Sequence, residues 1–407
     1  VNILQSKTAK QTAILFGSQI ALVAIGFGIK TIQTNVLGAE AYGLYAFFGS
    51  FTGFAVLFFR FGFFSSLQVL LAENNNPNYE KELFGLGFII NLFVGVLFAT
   101  FIWITSFYID SWFHIEIGNI IRLVAPLTIV IPSRNLISAM TVGSNKVQIL
   151  PIYDNVAKVL FAIALLVFAF SDTLTVFHAI LFNLTTLFIS FGVIFRQFQP
   201  SFNHIKKNSV ILLQKTKSYG FNFYIGSTAN QSTFKLDEIA ISYFIGTTVN
   251  GFYSLANLIA SPMIMGSQAL SNSLFKNFSN QTKIPRKVFV YNAAWLLFSM
   301  TILYFISDWI VELLFGNQFK LVAEYAVGIS LALFFQGMYQ PFNFLSAKSQ
   351  GKQIRNVALI EASINLTGNL ILIPQIGVLG AIYTSIFAKF IHFIGKWYYY
   401  NKYLKSI

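Results

Sequence analysis

The chain contains no cysteine, which excludes disulfides, zinc thiolate sites and thiol nucleophiles. Charge is scarce too: only 10% of the 407 residues are charged, where a water-soluble chain carries roughly a quarter. With 56% apolar residues there is too little polar surface to cover a globule in water, so the outer face must be solvated by lipid. Acidic residues are the scarcest class, 14 against 27 basic ones, and the resulting net charge of +13 would suggest a nucleic-acid partner in a soluble protein. Here most of the basic residues lie in the gaps between apolar runs, where they read as topology signals instead. The four histidines, His114, His178, His204 and His392, show no ligand spacing, so no metal site is expected. No G-x4-G-K-[ST] loop, H-E-x-x-H or G-x-S-x-G occurs, so neither ATP hydrolysis nor the common hydrolase chemistries are expected, and no cofactor is called for.

What the chain has is a series of apolar runs long enough to cross a bilayer of about 30 Å. They lie near 11–33, 44–69, 84–106, 118–141, 149–170, 174–196, 219–244, 250–274, 288–307, 321–346, 355–374 and 378–399. The first follows Lys7 and Lys10 like a signal peptide, but no small-residue cleavage site follows it, and it reads as the first span. Pro126, Pro132, Pro262 and Pro341 inside the runs predict kinked or broken helices. The expectation is an all-α integral membrane protein with about twelve transmembrane helices.

Lys7, Lys10, Lys146, Lys206, Lys207, Lys215, Lys217, Lys276, Lys283, Arg286, Lys287, Lys348, Lys352, Arg355, Lys402 and Lys405 fall on one side of the spans. The other side holds little more than Lys30, Arg122 and Lys320, with Asp110, Glu116, Asp172, Asp308 and Glu312. The positive-inside rule then places both termini in the cytoplasm. The longest cytoplasmic link, about 197–218, separates six spans from six, giving expected domains 1–208 and 209–407. Each half enters its second helix alike. LGAEAYGLYAFF carries Gly38, Gly43 and Tyr45, and IGTTVNGFYSLA carries Gly246, Gly251 and Tyr253, with the same G-x4-G-x-Y spacing. A parallel repeat of this kind implies two six-helix bundles related by a pseudo-two-fold axis along the membrane normal, with a cleft between them.

Polar groups within a span are costly and should face a cavity rather than lipid. The seventh span is the most polar: Ser227, Gln231, Lys235 and Glu238 follow helical spacing, with Asn230 and Asp237 on the adjoining face. This set either lines water or forms a self-neutralising cluster of Lys235 with Asp237 or Glu238. Lys30 stands eight residues before Gly38, as Glu238 stands eight before Gly246, so the repeats place opposite charges at equivalent depth. Arg60 in FFRFGFF and Arg134 in the fourth span are cations that either await an anion or snorkel to headgroups. Asp154 and Lys158 form an i, i+4 pair of structural character. Glu361, Asn365 and Asn369 make a stripe that must face protein or water, the asparagines as interhelical glue. Tyr398, Tyr399 and Tyr400 read as an interfacial belt. The candidate substrate-binding residues are therefore Lys30, Arg60, Arg134, Gln231, Lys235, Asp237 and Glu238. Arg60 and Lys235 are the leading candidates for an anionic group. The short outer loops leave little room for an extracytoplasmic catalytic site, so transport is expected. It would be driven by a gradient, with H+ or Na+ as the coupling ion, or by consumption of the product.

LGAEAYGLYAFF at 37–48, LDEIAISYFIGTTVNGFYSLA at 236–256, LLFGNQF at 313–319 and INLTGNLILIPQIGVLGA at 364–381 carry a resemblance over essentially the whole chain. The chain resembles the O-antigen and polysaccharide flippases, in the group that also holds the multidrug and toxin extrusion transporters. The resemblance implies two six-helix bundles around a V-shaped central cavity. It also implies an undecaprenyl-diphosphate-linked oligosaccharide, an O-antigen, lipopolysaccharide or capsule unit, turned from the inner to the outer leaflet of a bacterial cytoplasmic membrane by alternating access. Asp237 matches the acidic residue common in the family's seventh span, whereas Arg60 and Asn35 depart from its usual pattern. An ion-coupled multidrug antiporter of the extrusion branch is the alternative; it should concentrate acidic and aromatic groups in its cavity, while the candidates here are mainly basic. A facilitator-superfamily transporter would carry a glycine- and arginine-rich loop where this chain has ENNNPNYEKE, and a saccharide polymerase would need longer outer loops.

Overall fold

The computed structural model describes residues 7–406 apart from 75, 147, 148, 172 and 349. It describes their side chains except at 7–22, 222, 226, 229, 230, 233, 234, 272, 273, 275–277, 279, 280 and 347. Asp172 and the side chains of Lys7, Lys10, Asn230 and Lys276 thus lie outside the described residues. Among those described there is no strand. The helices are α1 (Lys7–Ala55), α2 (Phe63–Ala72), α3 (Pro77–Thr105), α4 (Ile109–Phe113), α5 (Gly118–Val124), α6 (Ser133–Gly143), α7 (Ile149–Ala169), α8 (Val176–Phe198) and α9 (Ile205–Lys215). They continue as α10 (Phe221–Phe244), α11 (Thr247–Ala260), α12 (Pro262–Asn280), α13 (Arg286–Phe315), α14 (Leu321–Met338), α15 (Phe344–Ala347), α16 (Gly351–Ile376) and α17 (Val378–Leu404).

The twelve apolar runs are helical over most of their length, the second being broken at residues 60–62, and nine helical segments among the described residues are long and apolar enough to cross a membrane. The shortfall has physical causes. The helices of the first two runs abut at Gly38, whose φ of 76° and ψ of 178° are non-helical, with no loop between them, and so make up one long segment, Val23–Phe59. The seventh run, in α10, is diluted by polar residues, and the eighth is cut at Ser261 and Pro262 into α11 and α12. The surface is that of a lipid-solvated protein. Leu123, Phe170 and Phe305 are more than two-thirds exposed while Asn91, Asn250, Asn292 and Asn369 are buried, the reverse of a water-soluble globule.

The chain forms two compact units: residues 1–41 with 48–228, and residues 42–47 with 229–407. In the first, Phe84, Phe88, Phe198, Leu136 and Met140 pack into the core, and Asn91 donates to Ser133 at 3.0 Å inside it. The link after α8 is tied down at one end of this unit: the Ser201 N–H donates to the Lys81 carbonyl, His204 and Asn208 meet Glu82, and Lys215 pairs with Glu73. The start of α10 belongs here as well, because Tyr224 and Thr228 donate to the carbonyls of Phe58 and Leu57.

In the second unit the two G-x4-G-x-Y segments meet. A Cβ on Gly251 would lie 3.1 Å from Gly43 Cα, and one on Gly43 would lie 2.6 Å from Thr248 Cα, so glycine is what lets these backbones cross. Gly38 and Gly246, the first glycines of the repeat, both adopt positive φ, 76° and 133°, which gives each half the same sharp turn between helices. The core lies among Phe278, Val288, Phe342, Phe344 and Tyr400. Tyr400 is turned inward, its hydroxyl accepting from the Ile284 N–H, so of the tyrosine belt only Tyr398 is strongly exposed.

Candidate functional site

Two sets of intramembrane polar residues stand out, one in each unit. In the first unit the second span is interrupted. A 3-10 turn over Val56–Phe59 leads into Arg60, and Phe61 and Gly62 take positive φ of 48° and 79° before α2 begins. Gly62 lies so close to Gly220 that a Cβ would fall 2.4 Å from its carbonyl oxygen. The break is thus clamped by Gly220 and Tyr224, and it holds Arg60, half-buried, at a fixed place between two helix ends.

Arg134, in the first turn of α6, reaches Asp154 on α7 through two parallel bonds of 2.9 Å from Nε and Nη2. This fork geometry uses two of the five guanidinium donors and fixes the plane of the rest. Its partner is therefore a carboxylate rather than a lipid headgroup. Lys158 lies one turn beyond Asp154 and lines the same cavity, of about 210 Å³, with Arg134, Asn183 and Thr186. Arg60 is near enough to Arg134 for the two like charges to act on each other. Among the described groups named here, three cations stand beside one carboxylate. Lys30, also in this unit, donates to Gln33 at 3.3 Å.

In the second unit Lys235 and Glu238 pair at 2.6 Å one turn apart on α10, so the self-neutralising arrangement is the one adopted. Asp237 faces elsewhere. Its carboxylate is buried and accepts from Tyr253 (2.9 Å), Ser385 (2.7 Å) and Asn369 (2.6 Å), which joins α10, α11, α16 and α17 at one point. The tyrosine is the one that closes the second repeat motif. Gln231 is exposed on α10. Glu361, Asn365 and Asn369 are all buried, and Asn369 also donates to Asn365. A polar cavity of about 80 Å³ is lined by Asp237, Gln336, Glu361, Asn365, Ser385 and Lys389.

Sequence reasoning missed the partners that α17 supplies. Lys389, His392 and Lys396 share one helix face at i, i+3 and i+7 and point inward, with His392 Nδ1 2.6 Å from Glu361 Oε2. Their spacing was the available signal, opposite a stripe that already contained an acid. Among the described residues no group of three or more histidines and carboxylates could hold a metal ion.

The family model for polysaccharide biosynthesis proteins matches residues 8–265. Among curated proteins, the uncharacterized membrane protein MJ1068 of Methanocaldococcus jannaschii is 26% identical over 207 residues. That match covers 48% of this chain and 40% of the relative, so the aligned part spans less than half of its length. Among solved structures the fold is similar to the lipid II flippase MurJ in its inward closed conformation, with a TM-score of 0.71 at 16% identity over 97% of this chain and 89% of that one. It is also similar to the eukaryotic MATE transporter AtDTX14, with a TM-score of 0.65 at 13% identity over 98% and 97%. A third similarity is to an inward-facing MATE multidrug resistance transporter of the MOP superfamily, at 0.64 and 13% over 95% and 94%. At these identities the likeness gives the fold, an all-α membrane transporter fold.

Proposed function

The chain belongs to the polysaccharide biosynthesis protein family, and on that premise we propose that it is a flippase for a saccharide carried on a polyprenyl diphosphate. In this reading undecaprenyl diphosphate is the carrier and an O-antigen, capsule or related repeat unit is the cargo. The substrate moves from the cytoplasmic to the outer leaflet of the cytoplasmic membrane by alternating access, both termini lie in the cytoplasm, and a gradient of H+ or Na+ drives the cycle.

The observation that carries the reading is the cationic neighbourhood of Arg60, Arg134 and Lys158. Three cations gathered around one carboxylate beside apolar spans favour an anionic ligand. A diphosphate supplies matching charge and several acceptor oxygens, and an arginine whose plane is already fixed recognises it with little loss of freedom. Asn183 and Thr186 in the same cavity offer hydrogen bonds of the kind a sugar needs. Lys235, held by Glu238 at 2.6 Å, contributes no net charge, and its role falls behind those of Arg60 and Arg134. Lys30, Gln231, Asp237 and Glu238 remain candidates for contacts with the saccharide.

Native mass spectrometry of the purified protein with undecaprenyl-diphosphate oligosaccharide, undecaprenol and a lipophilic cation tests this. The diphosphate lipid should bind, with affinity falling about tenfold or more in Arg60→Ala and Arg134→Ala, as expected for loss of a charge-assisted bond, while undecaprenol binds weakly to all. Equal binding of both lipids, or preference for the cation, overturns the assignment and favours the antiporter.

A further inference from the structure

The second unit holds a buried set of ionisable groups for which the anion-binding reading has no use. Glu361 on α16 and His392 on α17 are 8% and 5% exposed at the side chain, and Oε2 and Nδ1 lie 2.6 Å apart. The His392 ring stacks on Tyr339 at 4.2 Å between centroids, and Lys396 Nζ lies 4.6 Å from the centre of the same ring. Lys389 donates to Gln336 at 2.7 Å. Asp237, on α10, lines the same cavity as Glu361 and Lys389. With Tyr253, which donates to Asp237, the described charged and titratable groups of the site are two carboxylates, two ammonium groups, two phenols and the imidazole. With both carboxylates ionised and both lysines protonated, these charges cancel and the site is electrically balanced with a neutral imidazole.

The balance fixes the tautomer. An ionised Glu361 can only accept, so the Nδ1 facing it carries the ring proton. That leaves Nε2 as a bare acceptor, and it is buried with no hydrogen-bond donor among the described residues. An orphaned acceptor in such a place is costly and calls for an explanation. Nε2 is also the atom at which the ring takes up a second proton, and the Glu361 carboxylate 2.6 Å from the other nitrogen is placed to stabilise the imidazolium that results. The cavity offers the route, since its volume of about 80 Å³ is large enough to hold water and both Asp237 and Glu361 line it.

We propose that Glu361 and His392 form a proton-binding site, supplied through the polar cavity that begins at Asp237, and that this site couples transport to the proton gradient. Taking up one proton converts a neutral buried cluster into one with a single positive charge, and losing it restores balance. The two states differ in charge at the junction of α14, α16 and α17, which is what a gradient needs in order to bias a conformational equilibrium. Transport coupling rests on the flippase reading; proton binding does not.

The first measurement is 15N-histidine NMR in lipid nanodiscs on a variant with H114Q, H178Q and H204Q, which keeps His392 as the one histidine. The expected result is a single imidazole that goes from the Nδ1–H tautomer to the doubly protonated ring between pH 9 and pH 5. A ring that keeps one state throughout overturns the proposal. The second is translocation of the lipid-linked saccharide in proteoliposomes with and without an imposed pH gradient. The gradient should speed the wild type several-fold and leave His392→Gln and Glu361→Gln unaffected. A wild type that translocates at a rate indifferent to the gradient overturns the coupling. A ring that titrates in a protein that moves no lipid-linked saccharide leaves the proton site standing and removes the flippase reading alone.

Discussion

Replacing Asp237 by alanine removes the acceptor for three donors at once, and its consequence can be worked out from the geometry. Tyr253 and Ser385 share Oδ2, and Asn369 holds Oδ1. Each orphaned buried donor costs about 1–3 kcal/mol. The two hydroxyls can rotate and the adjoining cavity can admit water, so the low end applies, giving about 3 kcal/mol in all. That is roughly a 150-fold loss in the folding equilibrium at 1.36 kcal/mol per factor of ten. Neutral interhelical bonds in membranes average only about 0.6 kcal/mol, so three of them would lose less than about 2 kcal/mol. Asparagine at 237 is the discriminating control. Its carbonyl still serves Asn369, and its NH2 faces two hydroxyl oxygens that can accept, so the loss should be about 1 kcal/mol. Unfolding in mixed micelles with increasing SDS, followed by tryptophan fluorescence, measures both. If the alanine variant loses under about 2 kcal/mol, as three neutral bonds would, or the asparagine variant as much as the alanine one, the carboxylate is not the junction described here.

Three further outcomes follow from particular contacts. Gly43→Val should abolish accumulation of folded protein in the membrane, because its side chain would meet the Thr248 backbone, whereas Gly49→Ala, with open space around it, should accumulate normally; immunoblotting of membranes decides. Gly62→Ala meets both a positive φ and the Gly220 carbonyl, so it should displace Arg60 and lower affinity for the diphosphate lipid by about tenfold, and unchanged binding would detach Arg60 from the site. Asp154→Asn takes the carboxylate from Arg134 and makes the neighbourhood one unit more positive, so binding should become more salt-sensitive, and a salt dependence equal to the wild type's would argue against an electrostatic site.

Much of the fold was legible because lipid leaves a chain few options. Apolar runs of membrane length must be helical over most of their length, and all twelve are. The repeat was legible too, since Gly38 and Gly246 turn alike and Gly43 crosses Gly251. What the runs could not reveal was how the first two spans join: nothing in the residues around Gly38 distinguishes a loop from a sharp kink with no loop. Within the site, the buried stripe of Glu361, Asn365 and Asn369 followed from helical spacing alone. The partners did not. Arg134 and Asp154 sit on successive spans and meet only because α6 and α7 pack side by side. His392 and Lys396 lie in a segment whose aromatic neighbours suggested the membrane surface, and only tertiary packing turns that face inward.

The central claim is that this protein moves a diphosphate-linked saccharide across the membrane by way of the cationic neighbourhood at Arg60 and Arg134. The most direct test is transbilayer movement of a fluorescent undecaprenyl-diphosphate oligosaccharide in proteoliposomes, read by loss of fluorescence to an impermeant quencher. The account predicts protein-dependent movement that falls at least tenfold, the loss of a single charge-assisted bond, in both Arg60→Ala and Arg134→Ala and recovers in part in the lysine variants. Movement no faster than in empty liposomes across several saccharides, with ion-coupled uptake of a small cation in its place, would contradict it.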